Sequence, residues 1–528
     1  MIETMRSSRG AVSAPHHLAA QAGLRVLREG GNAIEAMVAT AAAITVVYPH
    51  MNALGGDNFW LINKSGRIFG IDACGRAAKK ITREFYLSRG FSSIPSRGAL
   101  SALTVAGAPS GWELALQISA KIGGSLPLER LLEDAIYYAG VGVPVTQSLQ
   151  KNVVNKSNEL ADVPGFSETF LPDGKPLIVG ERFALPALAE TLMQLGDRGI
   201  SDFYEGELSR KIISDLAKVG SPLSLEDMKK HKARTIEPLQ VSTRSGTLYN
   251  MPPPTQGIAS LIILSLLDLL KRPEGETADY IHAIIEATKA AFNIRDKYVA
   301  DPDYMNVLVS KFLSHDSLSR LASVIDFSHA KPWNTQVDSG DTVWMGAADS
   351  EGCVVSCIQS VYWEFGSGLV LPETGIVWQN RGIGFSLEEH HHNRLEPMRQ
   401  PFHTIQPALA NLRDGRVMAY GTMGGEGQPQ TQAAIFSRYV TYKQDLQAAI
   451  NAPRWLLGRT WGDDTSELRL ESRFTADVVN DLRQRGHKLE LVSDFDDIMG
   501  HAGAVVLRPD GIYEAASDPR SDGAALGF

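Results

Sequence analysis

Residues 339–360 read SGDTVWMGAADSEGCVVSCIQS, and this stretch decides the fold. Two runs rich in apolar and β-branched residues flank the segment Asp349–Gly352, whose composition is typical of a turn. The pattern predicts a β-hairpin. If the loop has two residues, antiparallel pairing places Thr342 opposite Gln359 and beside Ser360, with cross-strand neighbours about 5.5 Å apart. The sequence therefore predicts that two hydroxyl groups meet at one end of a sheet.

A threonine at the start of a strand also has an ordinary structural explanation, because threonine favours strands. Thr342 gains a chemical role if the peptide bond after Asp341 is cut. The residue then carries a free α-amine with a reference pKa of about 8, which can act as the base that activates its own hydroxyl. The polar, aperiodic segment from Ser328 to Asp341 predicts an exposed connector, where chains are readily cut. We therefore predict cleavage between Asp341 and Thr342.

Several glycine- and proline-containing motifs follow one another along the chain. They are Gly30-Gly-Asn-Ala33, Gly55-Gly-Asp57, Ala108-Pro-Ser-Gly111, Met251-Pro-Pro-Pro-Thr-Gln-Gly257, Arg399-Gln-Pro-Phe-His-Thr-Ile-Gln-Pro407, Gly421-Thr-Met-Gly-Gly425 and Asp518-Pro-Arg-Ser-Asp-Gly523. With residues 339–360, they make the chain resemble the γ-glutamyltransferase family of N-terminal-nucleophile hydrolases from about residue 10 to the last residue. The resemblance implies an α+β, four-layer αββα fold formed by a self-cleaved precursor. Residues 1–341 would be the large subunit and residues 342–528 the small subunit of one αββα unit.

The resemblance also implies catalytic roles. Thr342 matches the nucleophile of the family, and Ser360 matches a second hydroxyl residue that hydrogen-bonds it. Gly424 and Gly425 match a glycine pair whose backbone N–H groups hold the oxyanion, since glycine lets the backbone approach closely. Taken alone, Ser360 would fit a surface strand serine, and the glycine pair would fit a plain turn.

The expected substrate-contacting positions depart from the γ-glutamyl pattern. The arginine that binds the glutamate α-carboxylate is replaced by cysteine, the Asn, Gln and Asp residues that hold the α-ammonium are replaced, and two serines are replaced. The residues now at these positions are, in the same order, Cys74, then Tyr362, Arg381 and Gly384, then His403 and Thr404. The acidic partner of a substrate ammonium is therefore expected to be missing.

These departures predict a small amide with a carboxylate near the scissile bond, because arginine binds a carboxylate bidentately. Arg381 is the first candidate for this contact and Arg76 the second, although Arg381 could instead only support a loop. The large side chains of Tyr362 and Trp363 would narrow the pocket, and Asn380 completes the candidate substrate-binding residues. Among the small-amide members of the family, the pattern is most similar to that of enzymes that convert oxamate to oxalate and ammonia.

Composition narrows the classes of partner. The chain has 528 residues, of which 44% are apolar and 21% charged, as in a soluble globular protein. Its net charge of −9 disfavours nucleic acid as a partner. No phosphate-binding glycine loop or dinucleotide fingerprint is present in the sequence, so no cofactor is expected. The consecutive His390–His392 cannot all point at one tetrahedral metal, so we expect a solvated loop and no metal.

The cysteines and the apolar segments bear on the compartment. Cys74, Cys353 and Cys357 form no CxxC pair, and an odd number in so long a chain fits a reducing compartment. The first residues lack the apolar core of a secretory signal. Ala36–Val47 is shorter than the about 20 residues that a membrane span needs, so it predicts a buried helix. We expect a cytoplasmic protein without membrane contact.

Two other functions remain open at the level of sequence. The first is γ-glutamyl hydrolysis or transfer, as with glutathione. The second is a relative that is not cleaved and only binds a ligand. For the self-cleaved enzyme, the resemblance implies a heterodimer of the two subunits, with a pair of heterodimers as the larger assembly, and a small anionic amide as substrate.

Overall fold

The computed structural model describes residues 3–270, 273–333, 340–458 and 467–528. Within these ranges, two seven-stranded sheets stack face to face, and helices cover both outer faces. This is the four-layer αββα arrangement, so the fold class predicted from the sequence is confirmed. In the described ranges, no helix combines the length and the apolar character that crossing a bilayer requires.

The strands of the first sheet are antiparallel to their neighbours and come from both ends of the chain. In spatial order they are β19 (Ala524–Gly527), β2 (Ala11–Ala14), β10 (Asp341–Ala348), β11 (Cys353–Tyr362), β3 (Asp57–Lys64), β4 (Arg67–Ala73) and β7 (Arg234–Ile236). The second sheet is also antiparallel throughout. Its order is β1 (Met5–Ser7), β18 (Tyr513–Ser517), β17 (Ala502–Leu507), β13 (Val417–Thr422), β12 (Ala408–Leu412), β9 (Gly246–Asn250) and β8 (Leu239–Ser242).

Smaller strands and the helices complete the described fold. The short strands are β5 (Val143–Pro144), β6 (Arg182–Phe183), β14 (Trp455–Leu457), β15 (Leu468–Glu471) and β16 (Leu489–Val492). The helices are α1 (His17–Arg28), α2 (Ala33–Val47), α3 (Arg83–Leu87), α4 (Ala108–Lys121), α5 (Leu128–Val141), α6 (Gln147–Leu160), α7 (Phe166–Phe170), α8 (Pro186–Arg198), α9 (Asp202–Glu205), α10 (Glu207–Val219), α11 (Leu225–Lys230), α12 (Gly257–Leu269), α13 (Ala278–Tyr298), α14 (His315–Ser323), α15 (Gly427–Phe436), α16 (Leu446–Asn451) and α17 (Ala476–Gln484).

The alanine-rich helix α2 shows how sequence sets local structure at the first sheet. The Asn32 side chain accepts hydrogen bonds from the backbone N–H groups of Ile34 and Glu35, and the Glu35 carboxylate accepts from the Asn32 N–H. This capping box fixes the start of the helix. Every residue of α2 is buried, because small side chains let it pack between the sheet and α1, α4 and α5. The predicted buried helix is confirmed.

Trp344 locks the two sheets together. Its indole ring lies against Gly346 of its own strand and against Gly421 and Gly503 of the opposite sheet, and a Cβ atom at any of these glycines would overlap it. The indole Nε1–H donates to Ser356 Oγ at 2.9 Å. Strand β10 is therefore held at a fixed depth against β13 and β17, two residues beyond Thr342.

The hairpin of β10 and β11 is present, but its predicted register is wrong by one residue. Val343, not Thr342, faces Gln359, and Asp349 pairs with Cys353 across a three-residue loop. Gly352 closes that loop with a φ of 75°, a left-handed conformation that glycine adopts without strain. A bulge between Asp341 and Val343 then shifts the pairing again, so that Thr342 lies beside Ser360.

The predicted connector before Thr342 is only partly covered by the described chain. Residues 334–339 lie outside the described residues, and Ser328–Pro332 are largely exposed, as expected. Gly340 is instead buried, and a Cβ atom there would overlap the Tyr362 ring. Gly340, one residue before Asp341, therefore lies inside the protein in the uncut chain.

Replacing Gly421 with alanine should lower the free energy of unfolding by about 1–3 kcal/mol, because the new methyl group overpacks the Trp344 cradle. The matched control is Gly140→Ala in α5, where the nearest atom lies 3.7 Å from the added carbon and helix propensity favours alanine. Chemical denaturation of both variants measures the difference. Equal losses of stability would contradict the role given to Trp344.

Candidate active site

Four buried side chains form a row across one end of the first sheet. Thr342 Oγ1 donates a hydrogen bond to Ser360 Oγ at 3.3 Å. Ser360 pairs across β11 and β3 with Asp57. Cys74 directly follows Ala73, the partner of Asn58, and so lies opposite Asp57. The predicted meeting of the two hydroxyl groups is therefore found, and it extends into a row of polar groups.

The second sheet contributes loops at the same end of the molecule. His403 and Thr404 lie just before β12, and Gly424 and Gly425 lie just after β13. His403 Nε2 lies 2.8 Å from Cys74 Sγ and 3.4 Å from an oxygen of Asp57. Contacts of His403 thus join the ends of the two sheets into one site.

The Gly424–Gly425 pair has a backbone that other residues adopt only with strain. Its φ angles are 113° and 48°, and helix α15 begins two residues later at Gly427. The Gly425 carbonyl accepts a hydrogen bond from Gln256 Nε2 at 2.8 Å, and the same nitrogen donates to the Thr404 carbonyl at 2.7 Å. One side chain therefore fixes both loops of the second sheet.

A buried arginine holds Gln256 in turn. Arg295, on α13, donates to Gln256 Oε1 at 2.9 Å and to Glu426 Oε1 at 2.6 Å. All three side chains are almost fully buried. Glu426 directly follows the glycine pair, and Gln256 donates to the Gly425 carbonyl. Arg295 therefore restrains the loop through two side chains. The arrangement restrains the peptide planes that would have to bind an oxyanion.

Arg381 is the most unusual charge at this end of the sheets. Its side chain is buried, and its guanidinium carbon lies 3.8 Å from the centre of the Tyr362 ring. Within the described part of the chain, no group accepts a hydrogen bond from its guanidinium nitrogens. Burial lowers the pKa of Arg381, while Tyr362 and Asp57 partly oppose that shift. A buried cation without a hydrogen-bond acceptor is typical of a site that binds an anionic ligand.

Asp57 places a carboxylate near this cation. One oxygen accepts hydrogen bonds from the backbone N–H groups of Gly75 and Gly107, both at 3.0 Å, and from Gln379 Nε2 at 3.2 Å. The other oxygen accepts no hydrogen bond from a described residue. Burial raises the pKa of Asp57 to about 7, and Arg381 opposes the rise.

His403 and Thr404 occupy the expected position beside this cluster. Burial, with a further contribution from the charge of Arg381, lowers the pKa of His403 well below its ordinary value, so the imidazole is neutral. Among the described residues, none hydrogen-bonds His403 Nδ1 or the Thr404 hydroxyl. Together with Arg381 and Asp57, they form a cluster of buried polar atoms that the protein itself leaves unsatisfied.

Tyr362 and Asn380, two other candidate substrate-binding residues, make hydrogen bonds within the protein. Tyr362 has a left-handed φ of 83° and donates its N–H to Ser360 Oγ at 2.8 Å. The Asn380 side chain accepts from the Trp363 N–H and donates to the Ser96 carbonyl, so it holds a loop.

Arg76, the second candidate for the substrate carboxylate, already has partners. It pairs with Asp301 at 3.3 Å and Asp303 at 3.0 Å, and donates to the Met398 carbonyl. Its guanidinium is therefore engaged by the protein, in contrast to that of Arg381. The structure brings Thr342, Ser360, Arg381, Tyr362, His403 and Thr404 to one end of the sheets, near the glycine pair.

Sequence reasoning missed Asp57, Gln256, Arg295 and Glu426 as parts of this site. Asp57 and Gln256 lie inside recognised motifs, and the β3–β4 hairpin would have placed Asp57 opposite Cys74. The absence of an acidic partner for a substrate ammonium, at the position of Gly384, stays a prediction, and Asp57 supplies a buried carboxyl from another strand. No local pattern marks Arg295, whose role depends on long-range packing.

The Asp57 carboxyl should make the folded protein less stable as the pH rises. Its folded-state pKa of about 7 lies above the unfolded value of about 3.9, so the folded state binds the proton more tightly and loses stability between these values. Urea unfolding at several pH values measures this slope. Asp57→Asn should remove its share of the slope, and Asp510→Asn at an exposed position should not. A constant difference between wild type and Asp57→Asn would contradict the raised pKa.

Comparisons with known proteins agree with this architecture. The family model described as Gamma-glutamyltranspeptidase matches residues 19–528. The chain is 52% identical over 524 residues to the oxamate amidohydrolase proenzyme of Klebsiella pneumoniae subsp. pneumoniae, covering 99% of both chains. It is 39% identical over 523 residues to the glutathione hydrolase-like YwrD proenzyme of Bacillus subtilis, covering 98% of both chains.

A solved structure of a related protein has the same fold. The crystal structure of cephalosporin acylase from Bacillus halodurans superposes with a TM-score of 0.92 at 33% sequence identity, covering 100% of this chain and 97% of that chain. The likeness therefore extends over the whole fold and includes the end of the sheets where the cluster lies. This chain belongs to the gamma-glutamyltranspeptidase family of N-terminal-nucleophile hydrolases.

Proposed function

We propose that this protein is a self-processing amidohydrolase that cuts itself between Asp341 and Thr342 and then hydrolyses a small carboxylate-bearing amide. Oxamate, which would yield oxalate and ammonia, is the substrate we favour. The proposal rests above all on Arg381, the buried guanidinium for which the described chain supplies no acceptor. The 52% identity to an oxamate amidohydrolase proenzyme supports the same choice.

Thr342 is the proposed nucleophile. After cleavage its α-amine can take the proton of its own hydroxyl, directly or through water, since the amine titrates near neutral pH. Ser360 Oγ, at 3.3 Å, receives the hydroxyl hydrogen bond and orients the Thr342 oxygen. The Tyr362 N–H donates to the same Ser360 oxygen, which keeps it in place. Attack on the amide carbon forms a tetrahedral intermediate, which collapses to a threonyl ester and releases ammonia.

Gly424 and Gly425 are the proposed oxyanion hole. Removal of one such donor in other enzymes raises the barrier by about 2.7–4 kcal/mol. Gln256 and Arg295 act here as positioning residues, because they fix the Gly425 carbonyl and therefore the neighbouring peptide planes. Water then attacks the ester, and the Thr342 amine assists by the reverse proton transfers.

Arg381 is the proposed carboxylate-binding residue. A carboxylate placed against its guanidinium would satisfy donors that the described chain leaves open, and the pair would be strong because it is shielded from water. The neighbouring Thr404 hydroxyl and His403 Nδ1 offer further polar contacts. The Tyr362 ring closes one side of the guanidinium at 3.8 Å, which favours a short acyl group over a long one.

The two products of cleavage are proposed to stay together as a heterodimer. In the first sheet, β10 of the proposed small subunit pairs with β2 of the large subunit, and β11 pairs with β3. In the second sheet, β12 pairs with β9 and β1 with β18. Separation would break both sheets and expose their cores. We propose a pair of heterodimers as the larger assembly.

Thr342→Ala should abolish both self-cleavage and turnover. A denaturing gel would show one chain of about 57 kDa, the full mass, where wild type gives two. Thr342→Ser is the matched control, because it keeps a hydroxyl and an α-amine and should still cleave. Two chains from Thr342→Ala, with the break still before residue 342, would contradict the assignment.

Arg381→Met should lower kcat/KM for oxamate by about 100-fold or more, mainly through a higher KM, because it removes a desolvated carboxylate partner. The variant should also keep or raise the melting temperature, since an unpaired buried cation costs stability. Arg76→Met is the matched control and should change KM little. A lower melting temperature with an unchanged KM would show that Arg381 only supports a loop.

A panel of amides tests the substrate itself. Ammonia release from oxamate should exceed that from neutral oxamide, and a γ-glutamyl p-nitroanilide should release little p-nitroaniline. The reverse order would favour γ-glutamyl hydrolysis; two of the similar proteins are named as glutathione hydrolase-like and glutathione hydrolase proenzymes. No turnover of any amide by fully cleaved protein would contradict the proposed function.

A further inference from the structure

Three side chains at the end of the sheets bring a sulfur, a nitrogen and an oxygen together. The ligand atoms of Cys74, His403 and Asp57 lie within 4.8 Å of one another, and all three residues are buried. They come from the ends of three separate segments: the start of β3, the residue after β4 and the loop before β12. The proposed hydrolysis uses neither the Cys74 thiol nor the free oxygen of Asp57.

We propose that Cys74, His403 and Asp57 form a binding site for a thiophilic divalent cation of the zinc class, and that its occupation inhibits the enzyme. Zn²⁺ accepts thiolate, imidazole and carboxylate ligands, and sites with three protein ligands keep a fourth position open. Mg²⁺ and Ca²⁺ prefer sets of oxygen ligands, so the sulfur and nitrogen donors select against them.

The distances between donors are close to those of a tetrahedral site. Neighbouring ligand atoms around Zn²⁺ are about 3.3–3.7 Å apart, given its usual bond lengths. His403 Nε2 and the Asp57 oxygen are 3.4 Å apart, which fits without movement. The 2.8 Å contact between Cys74 Sγ and His403 Nε2 is shorter. A cation would take the place of the proton between them and move the two atoms apart by roughly 0.7 Å.

The surroundings of Asp57 and Cys74 already orient these ligands. Three donors fix one oxygen of Asp57, from Gly75, Gly107 and Gln379, and leave the other oxygen directed towards His403. The Cys74 N–H donates to Asp72 Oδ1 at 3.0 Å, which holds the chain at the end of β4. Such outer contacts are typical of functional metal sites, where they orient the ligands.

The charges balance when the cation enters. Without a cation, burial keeps the thiol neutral, because it raises the pKa of Cys74 well above its ordinary value, with Asp57, Asp72 and Asp301 adding to the rise and Arg381 opposing it. Binding forms the metal–sulfur bond and releases the thiol proton to solvent. Thiolate and Asp57 carboxylate together cancel the two positive charges, which limits repulsion from Arg381.

Inhibition follows from the position of the ligands within the proposed substrate pocket. A cation on His403 would lie next to the group that we propose for carboxylate binding, and its open position would take the substrate carboxylate as a ligand. The carboxylate would then be drawn away from Arg381. Cys74 lines a cavity of about 210 Å³ together with Asp72 and Gln400, and we propose that the cation enters from this side.

Binding is tested with Co²⁺ and Zn²⁺ on the self-cleaved protein that contains both subunits. Wild type should bind one Co²⁺ with a thiolate-to-cobalt absorption band in the near ultraviolet, and Zn²⁺ should abolish the band by displacement. Cys74→Ser should lose the band and bind Zn²⁺ at least about 100-fold more weakly. Cys353→Ser changes another buried cysteine and should keep both the absorption band and the affinity for Zn²⁺. Absence of the band in wild type, or its persistence in Cys74→Ser, would overturn the site.

Two further measurements complete the test. The ¹¹³Cd resonance of the wild-type protein should have a chemical shift typical of one sulfur ligand. This measurement does not depend on the folding of any variant. A chemical shift typical of oxygen ligands alone would overturn the site. Zn²⁺ should inhibit wild type at least about 100-fold more strongly than Cys74→Ser, each relative to its own rate without metal. Equal inhibition would overturn the inhibitory role. The binding measurements need no substrate, so failure of the proposed amide hydrolysis would leave them unaffected.

Discussion

The packing of Trp344 against glycines of the opposite sheet is the constraint on which the rest of the site depends. A single large ring fills the space left by Gly346, Gly421 and Gly503, and its N–H is satisfied by Ser356. The sheets can approach this closely only because those positions lack a Cβ atom. Trp344 lies two residues after Thr342, and Gly421 lies three residues before Gly424. One contact thus sets the strand of Thr342, the proposed nucleophile, relative to the loop of Gly424, in the proposed oxyanion hole.

Among the described residues, Arg381 leaves all three of its buried guanidinium nitrogens without a hydrogen-bond acceptor. Elsewhere a buried arginine such as Arg295 has acceptors on other segments of the chain, and although burial alone would lower its pKa, nearby carboxylates raise it. Arg381 has no such acceptor in the described chain, and burial lowers its pKa. Arg381 therefore lowers the stability of the folded protein, as is common where a bound ligand completes a hydrogen-bond network. The same logic applies to the free oxygen of Asp57.

Local sequence was enough to predict the hairpin, the meeting of Thr342 with Ser360 and the buried helix α2, because turn chemistry and periodicity are encoded in neighbouring residues. The register was wrong by one residue because loop length depends on Gly352 adopting a left-handed conformation. The αββα class came from the resemblance, since no short pattern encodes the stacking of two sheets. Arg295 could not be assigned from the sequence, because its partners are distant in the chain, whereas the β3–β4 hairpin could have placed Asp57 opposite Cys74.

The proposed mechanism depends on the bond that Thr342 makes with the substrate. The most direct test is mass spectrometry of cleaved protein that has been mixed with oxamate and rapidly quenched with acid. We expect a peptide that begins at Thr342 and carries one added oxalyl group on that residue, and no such adduct in Thr342→Ala. An oxalyl adduct on another residue, or turnover by protein with an intact bond before Thr342, would contradict it.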